Sequence, residues 1–298
     1  MNTKMAVKSP PSSFQKNMFQ KIFFSSKVAP YVFVMPFILS FAIFFAYPVI
    51  TTIIMSFQQV LPGDTHFIGL ENYHRLDNTH FYRAMFNSSV YTILTLIILI
   101  PLPLVLAVFL NAKKMLFKNF FRSTLFVPAL ASVVVSGTIF RLVFGELPGS
   151  LMNILIGLFG HAPIQWMMNP ATAMFAMVML ATWRWTGVNI IYFLSGLQSI
   201  PHELYESASI DGANTLQKFF KITMPLLKPV TIYVLTISIY GGYAMFTESY
   251  MLYNGNGSPN DMGLTIVGYI YKTGLEQNNL GFGSAVGITL LAITLLLN

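Results

Sequence analysis

The sequence predicts an all-α membrane protein that crosses the bilayer six times. Three observations carry that expectation. Of 298 residues, 55% are hydrophobic and only 9% are charged, whereas an ordinary soluble domain carries about 25% charged residues. Six apolar runs, at about 31–58, 88–112, 123–146, 171–197, 229–253 and 282–298, meet the roughly 20 residues that a helix needs to cross a bilayer. Lysine and arginine are shared unevenly between alternate loops.

Residues 1–30 form a basic tail holding Lys4, Lys8, Lys16, Lys21 and Lys27 with no acid. Within it, Phe14–Lys27 mixes Phe and Ile with Lys. That pattern fits an amphipathic helix on the inner membrane surface and fits a solvated basic tail equally well. The first apolar run has no charged residue between Lys27 and Asp64, far longer than a signal-peptide core of about 7–15 residues. Its Pro36 and Pro48 predict kinks, since neighbouring helices can satisfy the carbonyls that proline frees. Two opposite-side loops carry turn chemistry, LPGD at 61–64 and NGNGSPND at 254–261. The sixth run stops at Asn298 without a polar flank, which reads as a helix cut short.

The positive-inside rule orients the spans. Besides the tail, the second loop holds Lys113, Lys114, Lys118 and Arg122, and the fourth holds Lys218, Lys221 and Lys228. The opposite side offers Arg75, Arg83 and Lys272 among six acids, Asp64, Glu71, Asp77, Glu146, Asp261 and Glu276. Tail, second loop and fourth loop are therefore expected in the cytoplasm. Residues 31–298 form one transmembrane domain, with the loop 199–229 projecting from it.

That loop, PHELYESASIDGANTLQKFFKITMPLLKP after Ser199 and Ile200, is the most patterned polar segment. Ser199 can cap a helix whose first turn suits Pro201. Glu203 and Glu206 lie near the helix N-terminus, where the macrodipole favours anions, and Leu204, Tyr205 and Ala208 share one side. Asp211-Gly212 ends that helix, because glycine accepts the left-handed geometry of a C-cap. A second short helix places Leu216, Phe219, Phe220 and Ile222 at helical spacing, and Pro225 and Pro229 end it and begin the fifth span. The result is a compact knob with exposed apolar groups rimmed by charge, the signature of a protein partner.

The residues themselves resemble a known family. Glu206-Ser207-Ala208, Asp211-Gly212-Ala213, Phe219, Ile222, Pro225 and Pro229 look like the cytoplasmic E-A-A loop of binding-protein-dependent ABC importer permeases, with Ser207 where the family has Ala. FIGLENYHRL (67–76), FFRSTLFVPALAS (120–132), LMNILIGLFG (151–160) and FLSGLQSIP (193–201) resemble its carbohydrate-uptake branch. APYVFVMPF, IFRLVFGE and NNLGFGSA look most like the arabinose and arabino-oligosaccharide members. The likeness runs from residue 31 to the end of the chain.

The resemblance implies a type I ABC importer fold with a cytoplasmic coupling helix, and a membrane-spanning permease subunit of an ATP-driven sugar uptake system. The alternative is a glycerol-3-phosphate or other oligosaccharide permease of the same family. It implies four kinds of contact besides membrane lipid. These are a second homologous permease in a heterodimer, two ATPase subunits, an extracellular or periplasmic sugar-binding protein, and the sugar itself. Nucleic acid is not among them. The ATPase would be engaged through Glu206, Ser207, Ala208, Asp211, Gly212, Ala213, Phe219 and Pro225, with Glu206 and Gly212 the most sensitive. ATP and magnesium would sit on the partner, with no cofactor in this chain.

The remaining residues fit a subunit without chemistry of its own. Cysteine is absent, which removes disulfides, thiolate metal sites and cysteine nucleophiles. No G-x-x-x-x-G-K-S/T run offers a nucleotide cradle, and no H-E-x-x-H or paired histidine spacing suggests a metal. His66, His74, His80, His161 and His202 fall in loops or at helix edges, so no catalytic or metal-binding residue is assigned.

Arg184, in ATWRWTGVN near the middle of the fourth run, is costly in a bilayer and is expected to face protein or an aqueous cavity. It can line the sugar path, where its planar fork of donors suits hydroxyls, or pair with Glu248, the acid of the fifth run. The sequence leaves both open, with snorkelling outward a third course, the one expected of Arg141. Trp183, Trp185, Asn189, Tyr192 and Ser195 on the fourth run and Tyr240, Tyr243, Thr247 and Glu248 on the fifth supply the flat faces and directional groups of a sugar site. From these, Arg184, Trp183, Asn189, Tyr192, Tyr243 and Glu248 form the expected substrate path. An ion-coupled transporter is the rival from another class, with Glu248 the one candidate for its coupling acid. A membrane-embedded enzyme would need a nucleophile–base pair or metal cluster, and the spans offer none.

Overall fold

The structure is a computed structural model that describes residue 25, residues 27–112 and residues 115–297. All of the Phe14–Lys27 segment but Ser25 and Lys27, and most of the basic tail, lie outside those residues, as do Lys113 and Lys114. The chain divides into two compact units, residues 1–54 and 55–298. Among the described residues, four helices are long and apolar enough to cross a membrane, and six spans result when each of two bent pairs counts as one.

In the first unit lies most of α1 (Ala29–Ser56). Its Pro36 is accommodated within the helix, while Pro48 follows a π-helical stretch at Ala42–Ala46. Proline cannot donate to the carbonyl four residues back and crowds it, and the widened turn absorbs that clash. Phe37, Phe41 and Phe45 stack along one side, with centroids 6.4 and 5.0 Å apart.

The second unit opens with a hairpin absent from the all-helical expectation, β1 (Gln58–Leu61) and β2 (Asp64–Phe67), antiparallel with Leu61 opposite Asp64. Pro62 and Gly63, with φ of 81° at the glycine, are the turn signalled by LPGD, since proline presets the first corner and glycine takes the positive φ of the second. Within the helical turn that follows, Glu71–His74, the side chain of Asn72 donates to the carbonyls of Ser56 and Gln58 at 3.0 and 2.8 Å. Those bonds hold the hairpin base.

Then come α2 (Thr79–Asn111), capped by Asn78, which accepts from Phe81 N at 2.9 Å, and the pair α3 (Lys118–Leu130) and α4 (Val133–Val143). The run 123–146, expected as one span, is bent by 96° between these two helices. Ala131 and Ser132 are extended, with ψ of 138° and 137°. A short α5 (Leu151–Gly157) follows. It is fastened by Asn153, whose side chain bonds Gly145 O, Leu147 O, both backbone groups of Ile164 and Trp166 Nε1.

Helix α6 (Pro170–Ser199) is the spine of the unit: more than half of its most apolar window is buried, and α2, α3 and later helices pack on it. Asn169 caps it by accepting from Ala171 N at 2.9 Å, with Pro170 in the first turn, the arrangement that satisfies an exposed amide without needing one from proline.

Next come α7 (His202–Ile210) and α8 (Thr215–Leu226). At 64° to α8 runs α9 (Lys228–Tyr243), followed by α10 (Thr247–Tyr253). Here too one expected run, 229–253, is two helices: Phe246 leaves helical geometry at φ −142°, ψ −57°. Finally α11 (Ile266–Tyr271) and α12 (Leu280–Leu297) close the unit.

Three apolar clusters hold the second unit. Tyr91, Phe144, Trp166, Met177 and Leu252 mark one. Leu104, Ile190, Phe193, Leu227 and Val234 mark another, and Phe81, Tyr243, Ile266 and Phe282 the third. At membrane depth close van der Waals packing holds such clusters, since lipid is as apolar as the side chains themselves.

Candidate functional site: a polar knob and a central cavity

The knob forms at the end of the bundle that carries Lys218, Lys221 and Lys228. Ser199 does not cap α7 as its position suggested. It is the last residue of α6, its hydroxyl donates to Gly196 O at 2.7 Å, and Pro201 occupies the cap position. Helix α7 ends as expected: Gly212 takes φ of 78°, and Ala213 N and Gly212 N return to Ala208 O and Ser209 O at 2.8 and 3.2 Å. Glycine holds that conformation without the penalty a Cβ brings. A reciprocal capping box then starts α8: Asn214 accepts from Gln217 N at 2.9 Å, and the Gln217 side chain accepts from Asn214 N at 2.8 Å.

Two bonds clamp the helices together, Tyr205 to Thr223 at 2.9 Å and Lys218 to Ser209 at 2.6 Å. Between them lies a groove of about 370 Å³ lined by Ala208, Asp211, Gly212, Ala213, Gln217, Lys218, Lys221 and Ile222. Glu206, Ser207 and Pro225 are exposed beside it, and Glu206 faces His202 Nδ1 at 2.8 Å. Phe219 goes the other way, packing against the cluster of Leu227 and Phe193. It roots the knob in the bundle while Ile210, Leu216 and Phe220 remain outside.

A cavity of about 440 Å³ opens between α2, α6, α9 and α10. Its walls are Tyr91, Thr95 and Leu99 of α2, Ala181, Trp185, Val188, Asn189 and Tyr192 of α6, and Tyr233, Ser238, Tyr240 and Glu248 with their apolar neighbours. Tyr192 and Tyr233 meet edge to face at 5.2 Å. Asn189 is spent structurally: its amide donates to Leu99 O at 2.9 Å, the carbonyl that Pro103, four residues on, cannot serve.

The expected path residues separate. Asn189, Tyr192 and Glu248 reach the cavity wall. Trp183 turns away to pack on Phe140 at 5.6 Å, since positions two apart on a helix face nearly opposite ways. Tyr243 is buried, bonded to Ser89 at 2.9 Å. Arg184 lies behind the wall: Nη1 donates to Glu248 Oε1 at 3.1 Å and Nη2 to Ala131 O at 3.4 Å, its Cζ sits 5.5 Å from the Trp185 ring, and its buried Nε has no partner. Tyr91, Thr95, Tyr233 and Ser238 were not picked out from the sequence. Membrane-depth tyrosines and hydroxyls carry no periodic signal that separates a cavity wall from packing.

Residues 81–298 match the family described as Binding-protein-dependent transport system inner membrane component. The chain belongs to that family. As a permease of this kind it is a multi-pass protein of the cytoplasmic membrane, without a cofactor of its own, and ATP hydrolysis resides on separate subunits.

The permease is 55% identical over 288 residues to the arabinooligosaccharides transport system permease protein AraP of Bacillus subtilis strain 168, spanning 97% of this chain and 92% of that one. It is 51% identical over 271 residues to the AraP of Halalkalibacterium halodurans, spanning 91% and 85%. Its fold matches a chain in the crystal structure of a bacterial alginate ABC transporter in complex with alginate pentasaccharide-bound periplasmic protein, with a TM-score of 0.79 at 22% identity, covering 96% of this chain and 94% of that one.

Proposed function

We propose that this permease carries arabino-oligosaccharides inward through the cavity between α2, α6, α9 and α10. The observation that carries the substrate class is likeness to two arabinooligosaccharide permeases at more than half identity across at least nine-tenths of the chain. The cavity volume supports it, lying within the roughly 300–1,000 Å³ of small-molecule sites. So does its lining: aromatic faces of Trp185, Tyr192 and Tyr233 for sugar C–H surfaces, with Ser238 and Glu248 for hydroxyls.

Glu248 is the one acid among the lining residues, and no Lys, Arg or His lies among them. Arg184 is already committed to Glu248. A phosphorylated substrate would meet a carboxylate and no free cation, so a neutral sugar is the better fit and glycerol-3-phosphate the worse one.

In this reading the lysine-rich loops and the N-terminus face the cytoplasm. The knob of α7 and α8 docks on an ATPase subunit, with Glu206, Ser207, Ala208, Asp211, Gly212 and Ala213 around the groove. Phe219 and Pro225 pass its movement to α9, because a packed element transmits a shift at an interface as a switch between discrete states. The complex has a second homologous permease, two ATPases and an external sugar-binding protein.

The test is uptake of labelled arabinotriose by proteoliposomes holding the complete complex. ATP-dependent, vanadate-sensitive uptake that excess glycerol-3-phosphate does not inhibit is expected. Uptake abolished by a proton ionophore and indifferent to vanadate would overturn the reading.

A further inference from the structure

Arg184 stands where two broken spans meet one unbroken span. Helix α6 runs for 30 residues without interruption. The third span breaks at Ala131 and Ser132, and the fifth at residues 244–246. From α6, Arg184 reaches both breaks: it donates to the carbonyl of Ala131, within the first, and to the carboxylate of Glu248, just after the second.

The pieces beyond the two breaks pack on each other. A Cβ built on Gly137 of α4 would lie 2.5 Å from the Cβ of Met251 on α10, so the helices are in close backbone approach. Leu252 of α10 joins the same apolar cluster as Phe140 and Val143 of α4. Helices α4 and α10 therefore form one body, which packs on α6 through Phe140 against Trp183 and is joined to it by a guanidinium whose Nε is unpaired.

Along the helices, Tyr192 and Tyr233 lie nearer the ends of α6 and α9 that meet the knob, and Glu248 lies beyond the other end of α9. We propose that Arg184 is a positioning residue of the transport cycle. Its pair with Glu248 latches the α4–α10 body against α6 and shuts the cavity at the end away from the knob, and loss of the pair lets that body swing outward. This rests on the reading of the cavity as the sugar path. A sugar hydroxyl donating to Glu248 would compete with Arg184 for the carboxylate, so substrate arriving at that end weakens the latch.

The chain has no cysteine, so Ser238→Cys on the cavity wall gives a single reporter on this subunit, read from its own band. In the complete complex, in nanodiscs without sugar or nucleotide, a membrane-impermeant maleimide applied from the end away from the knob reads the opening. Glu248→Gln, nearly isosteric, and Arg184→Met should each raise the labelling rate about tenfold, the shift that 1.4 kcal/mol makes in an equilibrium. The swapped pair Arg184→Glu with Glu248→Arg should return it toward the parental rate. Labelling within twofold of the parent in Glu248→Gln, in a complex that still assembles, would overturn the latch. So would failure of the swapped pair to slow labelling while each single variant speeds it. No sugar is present, so an error in the substrate leaves this result untouched.

Discussion

The knob and the Arg184 junction are both polar insertions in an apolar chain, and they are held by opposite means. In the knob the bonds are local: the capping box of Asn214 and Gln217 spans three residues and the glycine cap of α7 spans five. At the junction they are distant, since Arg184 joins Ala131, 53 residues away, and Glu248, 64 away. A polar group in water needs a good local conformation, whereas one at membrane depth needs partners wherever the fold can bring them, because no water will serve instead.

The contrast is sharpened by substitutions that attack each means of support. The largest effect on uptake is expected from Gly212→Val. Nothing lies within 4 Å of a Cβ there, so the penalty is conformational, on the order of 1–3 kcal/mol for a β-branched residue held at positive φ. It falls on the shape of the docking surface. ATP-dependent uptake should drop by roughly tenfold or more, since about 1.4 kcal/mol is a tenfold change, and ATPase recovered on permease pull-down should fall in parallel. Unchanged recovery would break the link between this cap and the partner.

Arg184→Met should act on stability, with the largest cost there. It leaves the Glu248 carboxylate, only 13% exposed, without its cation, a change that costs about 3–5 kcal/mol in buried pairs. The double variant Arg184→Met with Glu248→Met should recover most of that, as read by the temperature at which the detergent-solubilised complex aggregates. A double variant as unstable as the single one would show that the pair does more than neutralise itself.

Asn189→Leu is expected to cost about 1–3 kcal/mol by orphaning the Leu99 carbonyl. Adding Pro103→Ala, which restores an amide four residues on, should reduce that cost in the same aggregation assay. Equal losses in both backgrounds would refute the assignment of Asn189 as a substitute for the missing helix bond.

The smallest change is expected from Glu206→Gln. The side chain is exposed beside the groove and its one ion-pair partner is the exposed His202. The aggregation temperature should not move, while uptake should fall several-fold if the charge is read by the ATPase.

Much of this was visible in the residues alone. Spans could be placed because about 20 apolar residues in a row have few alternatives to a membrane helix. The end of α7 could be placed because Asp211-Gly212 is a local signal. The hairpin escaped because four-residue strands beside a long apolar run carry too little alternation to stand out, although its LPGD turn was evident. The bend at Ala131–Ser132 escaped because Pro128, three residues earlier, is tolerated inside α3. The split between Trp183 and Trp185 was set by helix rotation against neighbours that no window of sequence contains.

The sequence by itself determined what is short-range: which segments enter the bilayer, where the loop turns at Asp211-Gly212, and that one arginine must find shelter. Only the tertiary structure decided where that shelter is, that Asn189 serves a carbonyl freed by proline on another helix, and which aromatic faces meet around a cavity. The physical reason is distance along the chain. Turn and helix energies are settled among residues a few positions apart, whereas satisfying a buried polar group depends on partners that only the packing of whole helices brings within 3–4 Å.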